Sequence, residues 1–122
     1  MLIKDFYKIE ELQFVESGFK ATVKFNPNHD VYKGHFPEQP VVPGVIQLQI
    51  VKELVEEVTQ LKLMMTEVMQ VKYLIPVIPD KNARLTFTVT NTAIAENQIK
   101  SNIVIGFDDS IFTKAKIIFS FD

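Results

Sequence analysis

Apolar and polar positions along this chain of 122 residues repeat at two different rates. Between Glu11 and Phe25 the step is two: Leu12 and Phe14, then Phe19, Ala21, Val23 and Phe25, lie two apart. Successive side chains of a strand face opposite ways, so this spacing predicts strands. Ser17-Gly18 lies between the two runs as a turn signal, and the stretch therefore predicts a β-hairpin. From Gly44 to about Leu61 no further Gly or Pro occurs and the step lengthens. Val45, Leu48, Val51, Val55 and Val58 recur at three and four, and Ile50, Leu54 and Leu61 widen the arc, which predicts a helix. Gln49, Lys52, Glu53, Glu56 and Gln60 fall on the opposite face. In that stripe Glu53 is expected to be a solvated charge. Gln47 breaks the division by projecting near the middle of the apolar arc. A buried Gln costs about 1–3 kcal/mol unless its amide is bonded, so backbone partners from the segment before the helix are expected.

Beyond the helix, Glu67 to Ile75 carries apolar residues whose spacing shifts, which fits a bulged strand or one buried on both faces. Pro76 to Asn82 reads as a turn. Ala83 to Ile94, Gln98 to Phe107 and Ile111 to Phe121 each read as strands, with Asp108-Asp109-Ser110 as a tight hairpin turn. Between the first hairpin and the helix, Asn26 to Pro43 contains Pro27, Gly34, Pro37, Pro40 and Pro43 and reads as loop. The predicted order is β-β-α-β-β-β-β in a single domain spanning residues 1–122. This is an α+β chain with a largely antiparallel sheet wrapped around one long central helix. Ten Phe and no Trp, several of the Phe in strand-like alternation, suggest a sheet face packed on something long and apolar. An edge strand of such a sheet stays open unless a second copy pairs with it.

Composition narrows the chemistry. The formal net charge is −2, so the basic footprint of a nucleic-acid binder is missing. With no cysteine, disulfides, thiolate nucleophiles and Cys-ligated zinc are excluded. Two histidines, His29 and His35, are too few for a common metal site without carboxylates, and no metal is expected. His29 is expected to be a surface loop residue without a role. The first residues lack a basic lead followed by an apolar stretch, and no apolar run approaches membrane-spanning length. Cytoplasmic residence is the default expectation.

The informative stretch is Gly34-His35-Phe36-Pro37-Glu38-Gln39-Pro40-Val41-Val42-Pro43-Gly44-Val45-Ile46-Gln47-Leu48-Gln49. His-Phe-Pro, two residues, Pro, two apolar residues and Pro-Gly-Val stand here at fixed spacing. This resembles the active-site signature of bacterial 3-hydroxyacyl-acyl-carrier-protein dehydratases. Val71-Lys72-Tyr73-Leu74-Ile75-Pro76-Val77-Ile78-Pro79 is similar to the same family's strand leading into its Pro-X-X-Pro turn. The resemblance implies a hotdog fold, with catalytic residues at His35 and position 49 and substrate-binding residues at Phe36, Pro43, Gly44 and Val45. It also implies no cofactor, and as partner an acyl carrier protein bearing a phosphopantetheine-linked acyl chain. A homodimer is implied, with a larger assembly of dimers as an option, the histidine of one protomer meeting the helix of the other.

The residue types suit the reaction. Eliminating water from a 3-hydroxyacyl thioester needs a base for the C2 proton, an acid for the departing hydroxyl and donors for the thioester oxygen. An imidazole titrates near working pH and can be the base. Gly44 opens the helix without a side chain to block approach to its free N–H groups. The chain departs from the family at one position: the family's helix acid, fourteen residues after the histidine, is Gln49 here. An amide donates and accepts hydrogen bonds but has no proton to give a leaving hydroxide. His35 would then perform both transfers, a water on Gln49 would relay the proton, or Glu53, one turn along the helix, would substitute. Two other functions stand beside dehydration: hotdog thioesterase, and a non-catalytic acyl-thioester-binding subunit. Gln47 has a rival reading as a residue facing the acyl tunnel.

Overall fold

The structure is a computed structural model that describes residues 5–34 and 40–122. Its strands are β1 (Tyr7–Val15), β2 (Gly18–Phe25), β3 (Met64–Tyr73), β4 (Arg84–Ala95), β5 (Gln98–Phe107) and β6 (Ser110–Ser120). Two helices, α1 (Val31–Gly34) and α2 (Gly44–Thr59), lie between β2 and β3. The strands form one sheet in the order β1-β2-β4-β5-β6-β3, every neighbouring pair antiparallel.

Period-two patterning explains the centre of this sheet. Phe19, Ala21, Val23 and Phe25 of β2 are buried, as are Leu85, Phe87 and Val89 of β4, while the residues between them are more exposed. Their inner face, continued by Ile103, Ile105, Ile117 and Phe119, packs on Ile50, Val51, Leu54 and Val55 of α2 in one core. The long apolar object that the phenylalanines suggested is the chain's own helix. Each such side chain, fully buried, contributes about 1.5–3 kcal/mol relative to exposure. The first hairpin turns where expected, at Ser17, which takes a positive φ of 63°. Gly18 then lets β2 approach β4, since a Cβ there would collide with the Val89 carbonyl.

Three expectations change. The segment read wholly as loop contains the single turn α1, because no proline falls within Val31–Gly34. His29 closes that turn: its Nδ1 accepts from the Val31 N–H at 3.0 Å and its ring packs edge-on against Phe6 at 5.1 Å. It is therefore a structural residue and not an idle surface one. The apolar arc of α2 is also rotated from the expected one. Its buried residues are Gln47, Ile50, Val51, Glu53, Leu54 and Val55, whereas Val45 is 75% exposed. α2 ends at Thr59, short of Leu61, where Gln60 turns left-handed with φ 58°. Finally, β3 begins at Met64 and is bulged between Met65 and Glu67 and between Val68 and Gln70. It is an edge strand, and Met64, Val68, Met69 and Tyr73 stay exposed along it. On the other edge, Phe14 of β1 is exposed although it stands opposite the buried Phe19, since among the described residues no strand lies beyond it.

Candidate functional site

Proline, valine and glycine set the entrance of α2. Pro43 is its N-cap residue, with φ −58° and ψ 147°, and its carbonyl accepts the Ile46 and Gln47 N–H groups at 3.1 Å each. Among the described residues no side chain caps the first turn, which leaves the Gly44 and Val45 N–H groups and the positive helix end available to an electron-rich oxygen. Val42, buried just before it, donates its N–H to the Val77 carbonyl at 2.8 Å and so ties the helix entrance to the segment after β3. Gly44 differs from expectation. Its missing side chain leaves no open approach, because the Tyr73 ring fills that space: a Cβ would lie 2.5 Å from Cζ and 2.6 Å from Oη. A side chain at position 44 would have to displace that ring. Burial raises the Tyr73 phenol above its ordinary pKa, so it remains a protonated donor beside the helix end.

A groove of about 440 Å³ runs between the outer face of α2 and the start of β3. Val45, Leu48, Leu63, Met64 and Met65 make apolar walls, Lys52 closes one side, and Gln49 is half-buried among them. The structure thus brings Gln49 and Val45 together, with Pro43 and Gly44 at the preceding helix end. His35 and Phe36 lie outside the described residues. The chain on either side of them is anchored: Tyr32 is buried against Phe6, and Val42 is held as above.

Behind the groove stands a carboxylate that periodicity assigned to solvent. Glu53 is 7% exposed. Its Oε1 accepts the Tyr7 hydroxyl at 2.9 Å and its Oε2 accepts the Gln49 Nε2–H at 3.1 Å. The expectation of a solvated Glu53 is overturned because β1 lays Tyr7 over that flank of the helix. Burial, and after it the neighbouring negative charge of Glu53, push the Tyr7 phenol well above its ordinary range. A buried carboxyl group needs hydrogen-bond partners of this kind to offset lost hydration. Polar identity alone carried no signal for this pair; the i to i+4 spacing of Gln49 and Glu53 was the only one available.

Gln47 behaves as its burial required. Its Nε2 donates to the Val42 carbonyl at 3.4 Å, the backbone partner expected from the proline-rich segment, and its Oε1 accepts the Thr113 hydroxyl at 2.6 Å. Both ends of the amide are used inside the core, so the tunnel-facing alternative fails. Among the described residues, no group of three His, Cys, Asp or Glu side chains is placed to hold a metal ion, and no helix is long and apolar enough to cross a membrane.

Comparison with known proteins adds independent findings. A family model described as ApeI-like, ApeI dehydratase, matches residues 10–105. The 3-hydroxyacyl-[acyl-carrier-protein] dehydratase FabZ of Clostridium beijerinckii is 43% identical over 42 residues, a match covering 34% of this chain and 27% of that relative. Among solved structures, the dehydratase heterocomplex ApeI:P from Xenorhabdus doucetiae aligns with a TM-score of 0.68 at 19% identity, covering 93% of this chain and 96% of that one. The thioesterase HI1161 from Haemophilus influenzae aligns with a TM-score of 0.65 at 16% identity, covering 98% and 80%. At such identities the structures speak for the fold, and the antiparallel sheet with α2 against it is the hotdog arrangement.

Proposed function

The chain belongs to the ApeI-like dehydratase family, and from that premise we propose that it eliminates water from 3-hydroxyacyl thioesters carried on an acyl carrier protein. The observation that carries this reading is the position of Gln49. It occupies the site of the expected helix acid and lies half-buried in an apolar groove at the open edge of the protomer. A largely apolar wall carrying the Gln49 amide, with Lys52 at its side, suits an acyl chain bearing a hydroxyl.

In this reading His35 is the base and Phe36 lines the site. The imidazole takes the C2 proton, the C2–C3 double bond forms and the C3–O bond breaks with its electron pair. The departing oxygen then takes the proton back from the imidazolium and leaves as water. Free N–H groups at Gly44 and Val45 face the thioester oxygen as charge builds there, once the Tyr73 ring moves aside. No cofactor enters these steps.

The open edge of β3 supports assembly with a second hotdog chain, either another copy in a homodimer or a homologous partner, with larger assemblies of dimers an extension of the same contact. The dehydratase from Xenorhabdus doucetiae is a heterocomplex, which gives the second form a precedent. Fatty-acid or related polyene biosynthesis in the cytoplasm is the setting that fits. The test is a hydration assay with enoyl-acyl-carrier-protein on wild type, His35→Ala and Gln49→Glu side by side. Hydration that falls at least about a hundredfold in His35→Ala is expected, the scale of a lost general base. Release of free thiol in place of hydration would convert the reading to a thioesterase, and binding without turnover to an acyl-binding subunit.

A further inference from the structure

Two hydrogen bonds behind the groove decide which end of the Gln49 amide faces it. A carboxylate can only accept, so the group that Gln49 turns toward Glu53 must be its NH2. The second oxygen of Glu53 is held by the Tyr7 hydroxyl, and the whole group is buried. The Gln49 Oε1 sits on the other side of the amide, about 2.2 Å from Nε2 by planar geometry. It accepts no hydrogen bond among the described residues and is not enclosed. With its amide nitrogen committed inward, Gln49 offers the groove an acceptor.

We propose that Glu53 is a positioning residue that locks Gln49 with its carbonyl oxygen outward, so that residue 49 recognises a donor group, the 3-hydroxyl of the acyl chain, and transfers no proton. This rests on the dehydratase reading above and refines it. The hydroxyl gives its hydrogen to Oε1 and keeps its lone pairs free for the proton that must arrive on departure. The carboxylate has not been lost from the site; it stands one helical turn along, withdrawn from solvent, and acts through the amide.

The experiment compares binding of 3-hydroxyoctanoyl-pantetheine and octanoyl-pantetheine by calorimetry, alongside enoyl hydration, in wild type, Gln49→Met, Glu53→Gln and Tyr7→Phe. Wild type is expected to prefer the hydroxylated thioester about tenfold, the ratio set by one hydrogen bond of about 1.4 kcal/mol. Gln49→Met should erase the preference. Glu53→Gln keeps the side chain's shape and a partner for Tyr7 but lets the Gln49 amide turn over, and should erase most of it. Tyr7→Phe weakens the same buried network without releasing Gln49, and should keep the preference while lowering stability. A Glu53→Gln variant that retains the tenfold preference overturns the positioning role. So does a Tyr7→Phe variant that loses it in step with stability. Wild type that binds neither thioester and hydrates no enoyl substrate sinks the dehydratase reading itself, an outcome distinct from either.

Discussion

Two glutamines sit two residues apart on α2, and the structure gives them opposite work. Gln47 turns inward, spends both ends of its amide on Val42 and Thr113, and is 4% exposed. Gln49 lies about 200° further round the helix, gives one end of its amide to Glu53 and lines the groove. The same side chain is a strut in one place and, in the reading proposed above, a recognition element in the other. What separates them is the supply of partners. A core amide with every atom satisfied can only hold structure, whereas an amide with one atom satisfied is oriented and still open to a ligand.

The sharpest way to break this comparison is Gln47→Leu. It leaves the Thr113 hydroxyl and the Val42 carbonyl buried without their partner, and should lower unfolding free energy by about 2 kcal/mol. Urea denaturation measures the loss, and hydration per folded molecule should be unchanged. A Gln47→Leu protein of full stability would remove the structural half of the contrast.

Next in size is Gln49→Glu, which sets a second carboxylate where the amide nitrogen now lies 3.1 Å from Glu53. Like charges at that distance share one proton, so the pair gains a folded pKa above the unfolded Glu value of about 4.3. A raised folded pKa gives stability that is full below the unfolded value and is lost as pH rises through the folded one. The unfolding free energy of this variant, measured by urea denaturation, should therefore fall between pH 4 and pH 8 relative to wild type, by about 1–2 kcal/mol. A flat profile would mean that the two side chains do not meet.

Smallest is Tyr7→Phe, expected to cost about 1 kcal/mol at neutral pH through one lost bond to Glu53. Because the Tyr7 phenol is raised in the folded state, wild type should lose stability as pH climbs above about 10, where only the unfolded phenol ionises. The variant should show a shallower decline over that range in the same denaturation series.

Much of the fold is legible in the sequence. Strands β2, β4, β5 and β6 lie within a residue or two of their expected bounds, because alternation, propensity and turn residues agree there. β3 starts three residues before its expected bound, since two bulges and an unpaired edge remove the alternation that marks a half-buried strand. At the site, the family resemblance singled out Gln49 and Val45, and the groove contains both. It also named His35 and Phe36, which lie outside the described residues. It could not find Tyr73 over Gly44, because a glycine reads as open space until the fold shows what occupies it.

What the sequence determined by itself was periodicity, the rigid entrance to α2 and the identity of the residue at position 49. These depend on neighbours a few positions away. Only the tertiary structure decided which polar residues of α2 are buried and what each one faces. Glu53 takes its donor from a tyrosine 46 residues distant, and Gln47 from a threonine 66 residues distant. A burial that depends on partners so far along the chain leaves no trace in local pattern, because the free energy of hiding a polar group is set by what folding brings against it.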